Sequence, residues 1–404
     1  MRLRTIFTIA AAVTLFCCCT PKSTDEVNGI IVFDNNKEYP VMDLKLSDIA
    51  DIEFVQLKDE DSALLVAPHI GTQYIGEDFI IIGDKVPGDL SLDNAKVYMF
   101  DRQGNYIRTL CRGGRGPGEM SYPTANIMVQ PDSNKIFIGC RYSGRKILTF
   151  DFDGNLLNTT TPQNTFRESA IIGNSILLHY NSTQYVIKKF DTGEVKYIDL
   201  KIPPLSIIDA TTFAPIAYDT LKYERIADEF YTGTTSTLFP NLIYTKDGIY
   251  ITSLRSDTIR FIDKNLNITP RIVTKNYLPD KYRGIIPLVE MDDYILFHTQ
   301  SSDVYQKENP SWQHYIYIKE EKKLYKIPYT DTKNKSFNNE IGLYAYTYTT
   351  NYDKHVHFLA YDHLVKYYYD DLPDNVKSIV DTMTEDSNPI MMIIKFRPMG
   401  DDRK

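Results

Sequence analysis

A glycine-rich loop that carries two arginines and a glutamate is the part of the sequence best suited to holding a ligand. It reads RGGRGPGE from Arg112 to Glu119. Glycines let a backbone turn tightly and leave its amides free, and arginine forms charge-assisted hydrogen bonds with carboxylates. We expect Arg112, Arg115 and Glu119 to face a ligand with carboxylate or hydroxyl groups, and we include Arg141 in the same set. Alternatively, Arg115 and Glu119 pair with neighbouring elements and only lock the turn.

Two histidines, His355 and His357, have a spacing that can hold a metal ion. On a strand they share one face about 7 Å apart, because each residue rises roughly 3.3 Å. His363 follows after a turn. The alternative is that they are two exposed polar positions on a half-buried strand. The sequence has no HExxH, calcium-loop, GxSxG, Walker or dinucleotide glycine pattern, so it nominates no cofactor and no catalytic residue.

The first twenty residues, MRLRTIFTIAAAVTLFCCCT, indicate export. They combine a basic start with an apolar run that is too short to span a bilayer. Leu15-Phe16-Cys17-Cys18 resembles the lipobox of bacterial lipoproteins, with Cys18 as the lipidated residue and Cys19 as the second choice. We therefore predict a signal peptide over 1–17 and a lipid anchor that holds the chain at a membrane surface. An ordinary cleaved signal with incidental cysteines is the other interpretation.

The charge of the remaining chain argues against nucleic acid as a partner. Removing Arg2 and Arg4 with the signal leaves 43 basic against 53 acidic side chains, a net charge of −10. No long basic run offsets this acidity. Only Cys111 and Cys140 remain in the interior of the sequence. They can pair in an exported protein or stay reduced, since a chain of this size forms an adequate core without a disulfide.

A repeated pattern of short strands and tight turns defines the architecture. Residues 111–155 contain four strands with period-two alternation, separated by Gly, Pro and Asp-Gly turns. One such meander cannot bury both of its faces, so it requires similar neighbours packed around an axis. Six units fill the chain: 68–110, 122–160, 166–200, 238–274, 284–328 and 341–397, the last with strands expected over 343–349, 355–360, 365–369 and 389–396. The sequence thus predicts an all-β fold, a six-bladed β-propeller of four-stranded antiparallel blades.

A motif of an aromatic residue, an aspartate and a turn glycine recurs along the chain. The signal is clear at Phe100-Asp101, Phe150-Asp151 and Phe190-Asp191, and weaker at Asp263. We place the propeller over 51–397, after a tether and leading strand over 18–50 and before a tail over 398–404. The strand Ile52–Leu57 should pair with the C-terminal strand, because a ring of blades otherwise leaves an unpaired edge.

Two segments depart from the repeat. Residues 201–237 are too long for a link between blades, and long ordered insertions often carry function. Their aromatic side chains include Tyr218 and Tyr223, which can stack on sugars or pack on blade rims. The segment either borders a ligand site or only covers a face. Residues 373–386 have apolar positions at helical spacing, which predicts a short helix in the last blade.

A family resemblance rests on these motifs. Residues 113–157 resemble an NHL-type repeat, with Gly-x-Gly-Pro-Gly-Glu, Pro123, Arg145 and Phe150-Asp-x-Asp-Gly. With the lipobox and the closing PIMMIIKF strand, the chain resembles the six-bladed β-propeller lipoproteins of Bacteroidetes. The resemblance implies the fold, export and an envelope location, but no activity. NHL-like repeats often end their second strand with Asp. The first unit has Asp84 at this position, whereas the second unit has Cys140.

These observations leave three functional classes. The first is a surface-tethered binding or scaffold protein for a peptide, glycan or envelope protein, held at a membrane, most simply the outer membrane. The second is a hydrolase or lyase at the mouth of the propeller channel. The third is a structural envelope component without a small ligand.

Overall fold

The computed structural model describes most of the chain after the export signal. It describes residues 24–58, 64–65, 68–84, 95–120, 125–140, 146–162, 166, 168–179, 184–188, 195–199, 205–210, 215–219, 242–252, 257–277, 284–300, 312–328, 351–367 and 369–400. In these ranges β-strands dominate, and helices are few and short.

The strands form successive antiparallel sheets along the sequence. The N-terminal part contains β1 (Glu26–Val27), β2 (Ile30–Asp34), helix α1 (Leu46–Ile49) and β3 (Ala50–Gln56). Blade one follows with β4 (Pro68–Ile75), β5 (Phe79–Asp84), β6 (Lys96–Asp101) and β7 (Tyr106–Arg112). Blade two contains β8 (Ala125–Gln130), β9 (Lys135–Cys140), β10 (Lys146–Phe150) and β11 (Leu156–Thr160).

The later elements complete the fold. Blade three starts with β12 (Glu168–Ile172) and β13 (Ser175–His179), followed by β14 (Gln184–Lys188), β15 (Val195–Asp199), β16 (Leu205–Asp209) and β17 (Pro215–Asp219). Blade four has β18 (Leu242–Tyr244), β19 (Gly248–Ile251), β20 (Thr258–Asp263) and β21 (Ile268–Lys275). Blade five has β22 (Gly284–Glu290), β23 (Tyr294–Gln300), β24 (Trp312–Ile318) and β25 (Lys323–Ile327). The last elements are β26 (Lys354–Leu359), α2 (Tyr361–Tyr367), α3 (Asp374–Val380) and β27 (Ile390–Phe396).

The sheets are arranged as a propeller. The first strands of successive blades are neighbours, from β4 to β8, β12, β18 and β22. A separate apolar core fills each junction; Val97 and Ile138, for example, meet between blades one and two. Because both faces of a blade are buried in this way, strands such as β5 are buried along their whole length and are mostly apolar.

Strands β26, β27 and β3 form a three-stranded sheet that closes the ring. One face packs on blade five, where Met392 shares a core with Leu288, and the other packs on blade one, where Met391 shares a core with Ile80. The predicted pairing of the first and last strands is confirmed: β3 is antiparallel to β27, from Ala50 opposite Phe396 to Gln56 opposite Ile390.

The predicted number of blades needs correction. Five blades of four antiparallel strands are present in the described residues, not six. The closing sheet has three described strands, and the strand expected over 343–349 lies outside the described residues.

Blade three is built from different segments than the sequence indicated. Its strand order is β12, β13, β16 and β17, so residues 205–219, which we expected in an insertion, provide half of the blade. Strands β14 and β15, expected inside the blade, form a separate two-stranded sheet. The pairing of β13 with β16 places β16 and β17 in the blade.

The predicted helix in the C-terminal region is confirmed in part. Helix α3 covers Asp374–Val380, within the expected 373–386, and buries Val376 and Val380. A strand expected over 365–369 is wrong, because α2 covers Tyr361–Tyr367. Leu364 on α2 enters the core between blade five and the closing sheet, and this burial accounts for the helical conformation.

The N-terminal segment wraps around the outside of the ring, and we call residues 24–49 the strap. Strand β2 adds to the outer edge of blade four, parallel to β21, and β1 pairs with β2. Val41 then bridges to Lys326 on the outer strand of blade five. Ile31 and Phe33 are buried in the core between these two blades. The strap thereby protects the edges of two blades before the chain enters β3.

The aspartates of the repeat organise the turns between third and fourth strands. Asp101 Oδ1 accepts hydrogen bonds from the backbone N–H groups of Gln103 and Asn105, at 2.9 and 2.8 Å, and Oδ2 accepts from the Asn105 side chain at 2.7 Å. Asp151 and Asp263 bind an asparagine four residues later in the same way. These bonds lower the pKa of all three carboxyls. The copy expected at Phe190-Asp191 lies outside the described residues.

These turns pack against the preceding sheet. In the first, Lys58 N–H donates to the Gly104 carbonyl at 2.9 Å, and Arg102 binds Glu53 at 2.6 Å. Gly104 has φ +82, and a Cβ there would lie 2.1 Å from the Gln56 carbonyl oxygen. The turn therefore requires glycine both for its conformation and for its contact with β3.

Replacing this glycine tests the contact. Gly104→Ala should destabilise the protein more than Gly29→Ala, which has φ +81 but no neighbouring atom within 4 Å. The control should cost about 1–2 kcal/mol for its backbone conformation, and Gly104→Ala should cost about 1–3 kcal/mol more for displacing β3. Urea unfolding curves measure both values. Equal losses in the two variants would contradict the close approach.

Candidate functional site

The arginine-bearing loop, residues 112–119, connects the fourth strand of blade one to the first strand of blade two. Its base is a small backbone network: Gly113 N–H donates to Ala95 O at 2.8 Å, and Met120 N–H donates to Arg112 O at 2.7 Å. Because connections alternate between the two ends of a meander, this loop lies at the end of the blades where second strands end and third strands begin.

Glu119 stabilises this loop from within. Its Oε2 accepts a hydrogen bond from Gly116 N–H at 2.6 Å. A Cβ on Gly114 would lie 2.1 Å from the same oxygen, so glycine makes room for the carboxylate. Arg112 and Arg115 are exposed, and their side chains have no hydrogen bond or ion pair with another described residue. The carboxylate is thus used by the loop, and the two guanidinium groups face solvent.

The two internal cysteines lie beneath this loop as thiols that do not form a disulfide with each other. Both are buried in the core between blades one and two. Cys111 Sγ donates to the Gly118 carbonyl at 3.1 Å, and burial raises the pKa of this thiol far above its ordinary value. A neutral thiol that supports the backbone is the role that this geometry gives Cys111.

The remaining members of the predicted ligand set are placed only in part. Tyr218 belongs to β17, the outer strand of blade three, and not to a loop. Arg141 and Tyr223 lie outside the described residues, as do Cys18 and Cys19. A ligand-binding role for these residues stays a prediction.

The histidine pair is on the predicted strand, β26, but His355 is not an exposed position. It is buried, its Nε2 lies 3.0 Å from the Leu288 carbonyl, and its ring contacts Phe396 edge-on at 5.1 Å. Burial lowers the pKa of His355 to about 4. Among the described residues no three side chains form a group that could hold a metal ion.

Two further buried histidines were not singled out in the sequence. His298 on β23 faces His314 on β24, with ring centroids 6.4 Å apart. Burial and the nearby His314 and His355 lower the pKa of His298 well below its ordinary value. Because they stand on separate strands, no local spacing in the sequence relates them. The three histidines His298, His314 and His355 lie at the junction between blade five and the closing sheet.

These histidines should make the fold sensitive to acid. A histidine whose pKa is lowered by folding stabilises the native state above its unfolded pKa near 6.5, and this contribution is lost as the pH falls. With the pKa of His355 at about 4, the loss from this residue between pH 7.5 and 5 should be about 2 kcal/mol. His355→Gln keeps a donor for Leu288 but cannot take up the proton.

The measurement is the free energy of unfolding at both pH values for the wild type and His355→Gln. Subtracting the two values within each protein cancels any packing cost that is independent of pH. The variant should lose less stability than the wild type, by about 2 kcal/mol. An identical pH dependence in both proteins would show that this junction does not control the response.

A charged cleft lies at the other end of the blades, between blades four and five. Its volume is about 380 Å³. The first turns of both blades, the outer strand of blade four and the β1–β2 turn of the strap line it; the lining side chains include Thr245, Phe261, Thr269, Arg271, Glu290 and Lys319. No sequence motif indicated this cleft, since its walls come from three separate parts of the chain.

Glu290 is the centre of this cleft. Its carboxylate receives the Tyr250 hydroxyl at 2.5 Å, Lys319 Nζ at 2.7 Å and Arg271 at 3.4 Å. Burial, followed by the charge of Glu290, raises the pKa of Tyr250 well above its ordinary value, so the phenol stays protonated. At the rim, Lys246 of blade four pairs with Asp292 of blade five at 2.8 Å.

Comparison with known proteins identifies the family. The chain belongs to the family described as domain of unknown function DUF4934, whose model matches residues 28–395. It is similar to a solved structure of a candidate exported protein from Bacteroides fragilis, with a TM-score of 0.59 and 16% identity over 91% of this chain and 100% of that chain. At this identity the likeness shows the fold alone.

Two more distant solved structures have low TM-scores and carry no argument about this chain. Virginiamycin B lyase from Staphylococcus aureus has a TM-score of 0.37 and 8% identity over 85% of this chain and 99% of that chain. The Cps50 (Swd1) β-propeller domain of Myceliophthora thermophila has a TM-score of 0.36 and 12% identity over 68% and 88%. No curated protein matches the sequence. No helix in the described residues is long and apolar enough to cross a membrane.

Proposed function

We propose that this protein is a membrane-anchored, extracytoplasmic propeller that binds a ligand through the loop at residues 112–119. The observation that carries the proposal is the state of this loop. Glu119 holds its backbone in place, while Arg112 and Arg115 are exposed. A cationic loop whose conformation is already fixed loses little conformational entropy when it binds.

The chemistry of the loop favours a ligand with carboxylate groups. Each guanidinium offers a planar set of N–H donors that matches a carboxylate with two parallel hydrogen bonds. A peptide, an acidic glycan or the surface of an envelope protein presents such groups. The proposed role is therefore binding or scaffolding.

Arg115→Ala should weaken binding without changing the fold, because the side chain is exposed. Loss of a charge-assisted contact should cost about 1.5–3 kcal/mol of binding free energy. Screening the wild-type protein on arrays of acidic glycans and peptides identifies a probe, and titration calorimetry with that probe compares the variants. Lys264→Ala, an exposed cation on blade four, is the matched control. Equal binding by Arg115→Ala and the wild type would refute a role for the loop.

The anchoring part of the proposal is supported by the N-terminal sequence. Its basic start, short apolar run and Cys18 fit lipid attachment at an envelope membrane. The similar Bacteroides fragilis protein, itself a candidate exported protein, agrees with an extracytoplasmic location.

Cys18→Ser should release the protein from membranes unless Cys19 takes its place. The test is expression with a clickable fatty acid, followed by membrane fractionation of the wild type, Cys18→Ser and the Cys18/Cys19 double substitution. Stable attachment takes more than one acyl chain, so removal of the modified cysteine should abolish both label and membrane association. An unlabelled wild-type protein would refute the anchor, and label on the double substitution would place it elsewhere.

A further inference from the structure

We infer that the cleft between blades four and five is a second binding site, which takes a small ligand through its carboxylate group. The cleft is separate from the loop at residues 112–119: it is lined by turns between first and second strands, which lie at the opposite end of the blades. The inference does not depend on the proposed function of that loop.

The balance of charge in the cleft favours an anion. Arg271 and Lys319 both face the single carboxylate of Glu290, which leaves one positive charge uncompensated among these three groups. Lys319 also donates to the Met291 carbonyl at 2.6 Å, so its donors are largely occupied. The Lys246–Asp292 pair at the rim is neutral as a unit, and Asp247, the third carboxylate of the lining, pairs with Lys264 at 3.6 Å.

Arg271 is the group that can receive the ligand. Its side chain is 37% exposed, and its contact with Glu290 is long, at 3.4 Å. Glu290 and Tyr250 engage only part of a guanidinium that has five N–H donors. Because Lys319 and Tyr250 also hold Glu290, Arg271 can turn donors toward an incoming carboxylate without leaving a buried charge unpaired.

The walls of the cleft set the size and character of the ligand. Its volume of about 380 Å³ is at the lower end of the range for ligand pockets, roughly 300–1,000 Å³. Phe261 offers an apolar surface, whereas Thr245 and Thr269 bring polar groups to the same space. A sugar acid or a short peptide end has this combination of a carboxylate, a compact body and further polar atoms.

The strap completes the site. Asn28, Gly29 and Ile30 form one wall, and they stay in place because the strap is bound to blade five: Asp25 N–H donates to Lys322 O at 2.8 Å, and Lys322 Nζ binds Glu26 at 2.7 Å. The wall therefore comes from a segment that precedes the propeller in sequence, and blade five holds it in place.

The test uses two pairs of probes that differ only in the carboxylate: glucuronate against glucose, and N-acetylalanine against its amide. Calorimetry or saturation-transfer NMR on the full protein should show that at least one acid binds about tenfold or more tightly than its neutral partner. Binding should weaken with added salt. The pair that responds identifies whether the source of the carboxylate is a sugar or a peptide.

Two variants locate the binding. Arg271→Gln should weaken it about tenfold or more, and Thr269→Trp should block it by filling the cleft while keeping every charge. Lys395→Ala, an exposed cation on β27 of the closing sheet, is the control and should bind as the wild type does. The inference is overturned if no acid binds at millimolar concentration, if acids and neutral partners bind equally, or if folded Thr269→Trp binds as the wild type. Failure of the loop proposal would appear instead as unchanged binding of its own probe by Arg115→Ala.

Discussion

The antiparallel pairing of β3 with β27 is the interaction on which the rest of the molecule depends. It joins the beginning and the end of the propeller in one sheet, and that sheet supplies a core to blade one on one face and to blade five on the other. Without it, two large apolar blade faces would meet water. Within each blade, the antiparallel strand order sorts the connections to the two ends of the ring, which places the arginine-bearing loop at one end and the charged cleft at the other.

The strap supports a turn of blade five in the way that outer strands support the equivalent turns of blades one and two. In blade one, the turn around Gly104 packs against β3 of the closing sheet, and in blade two the glycine of the equivalent turn packs against Arg108 of β7. In blade five, the equivalent turn at Lys322 meets β1 of the strap instead. One continuous N-terminal segment therefore supports the turns of two sheets, and the space that it leaves beside blade four becomes the cleft.

The carboxylates of Glu119 and Glu290 have different structural roles. Glu119 bonds to the amide of its own loop, which leaves two exposed arginines. Glu290 instead contacts a lysine, an arginine and a tyrosine that are far apart in the sequence. Its carboxylate is nearly buried, and a buried charge needs partners. The first arrangement is local in sequence, and the second exists only when blades four and five are packed together.

The sequence by itself determined the features that depend on local pattern. These were the propeller class, from strands and Asp-Gly turns; the β3–β27 closure; the short helix over 374–380; and the strand that carries His355. Tertiary structure decided the features that depend on distant partners. Strands β16 and β17, rather than the β14–β15 hairpin, complete blade three, because β13 pairs with β16. The buried state of His355 arose from its contact with Leu288, 67 residues away. The Arg271–Glu290–Lys319 cleft had no local signal at all, because its three charges converge only through the packing of two blades and the strap.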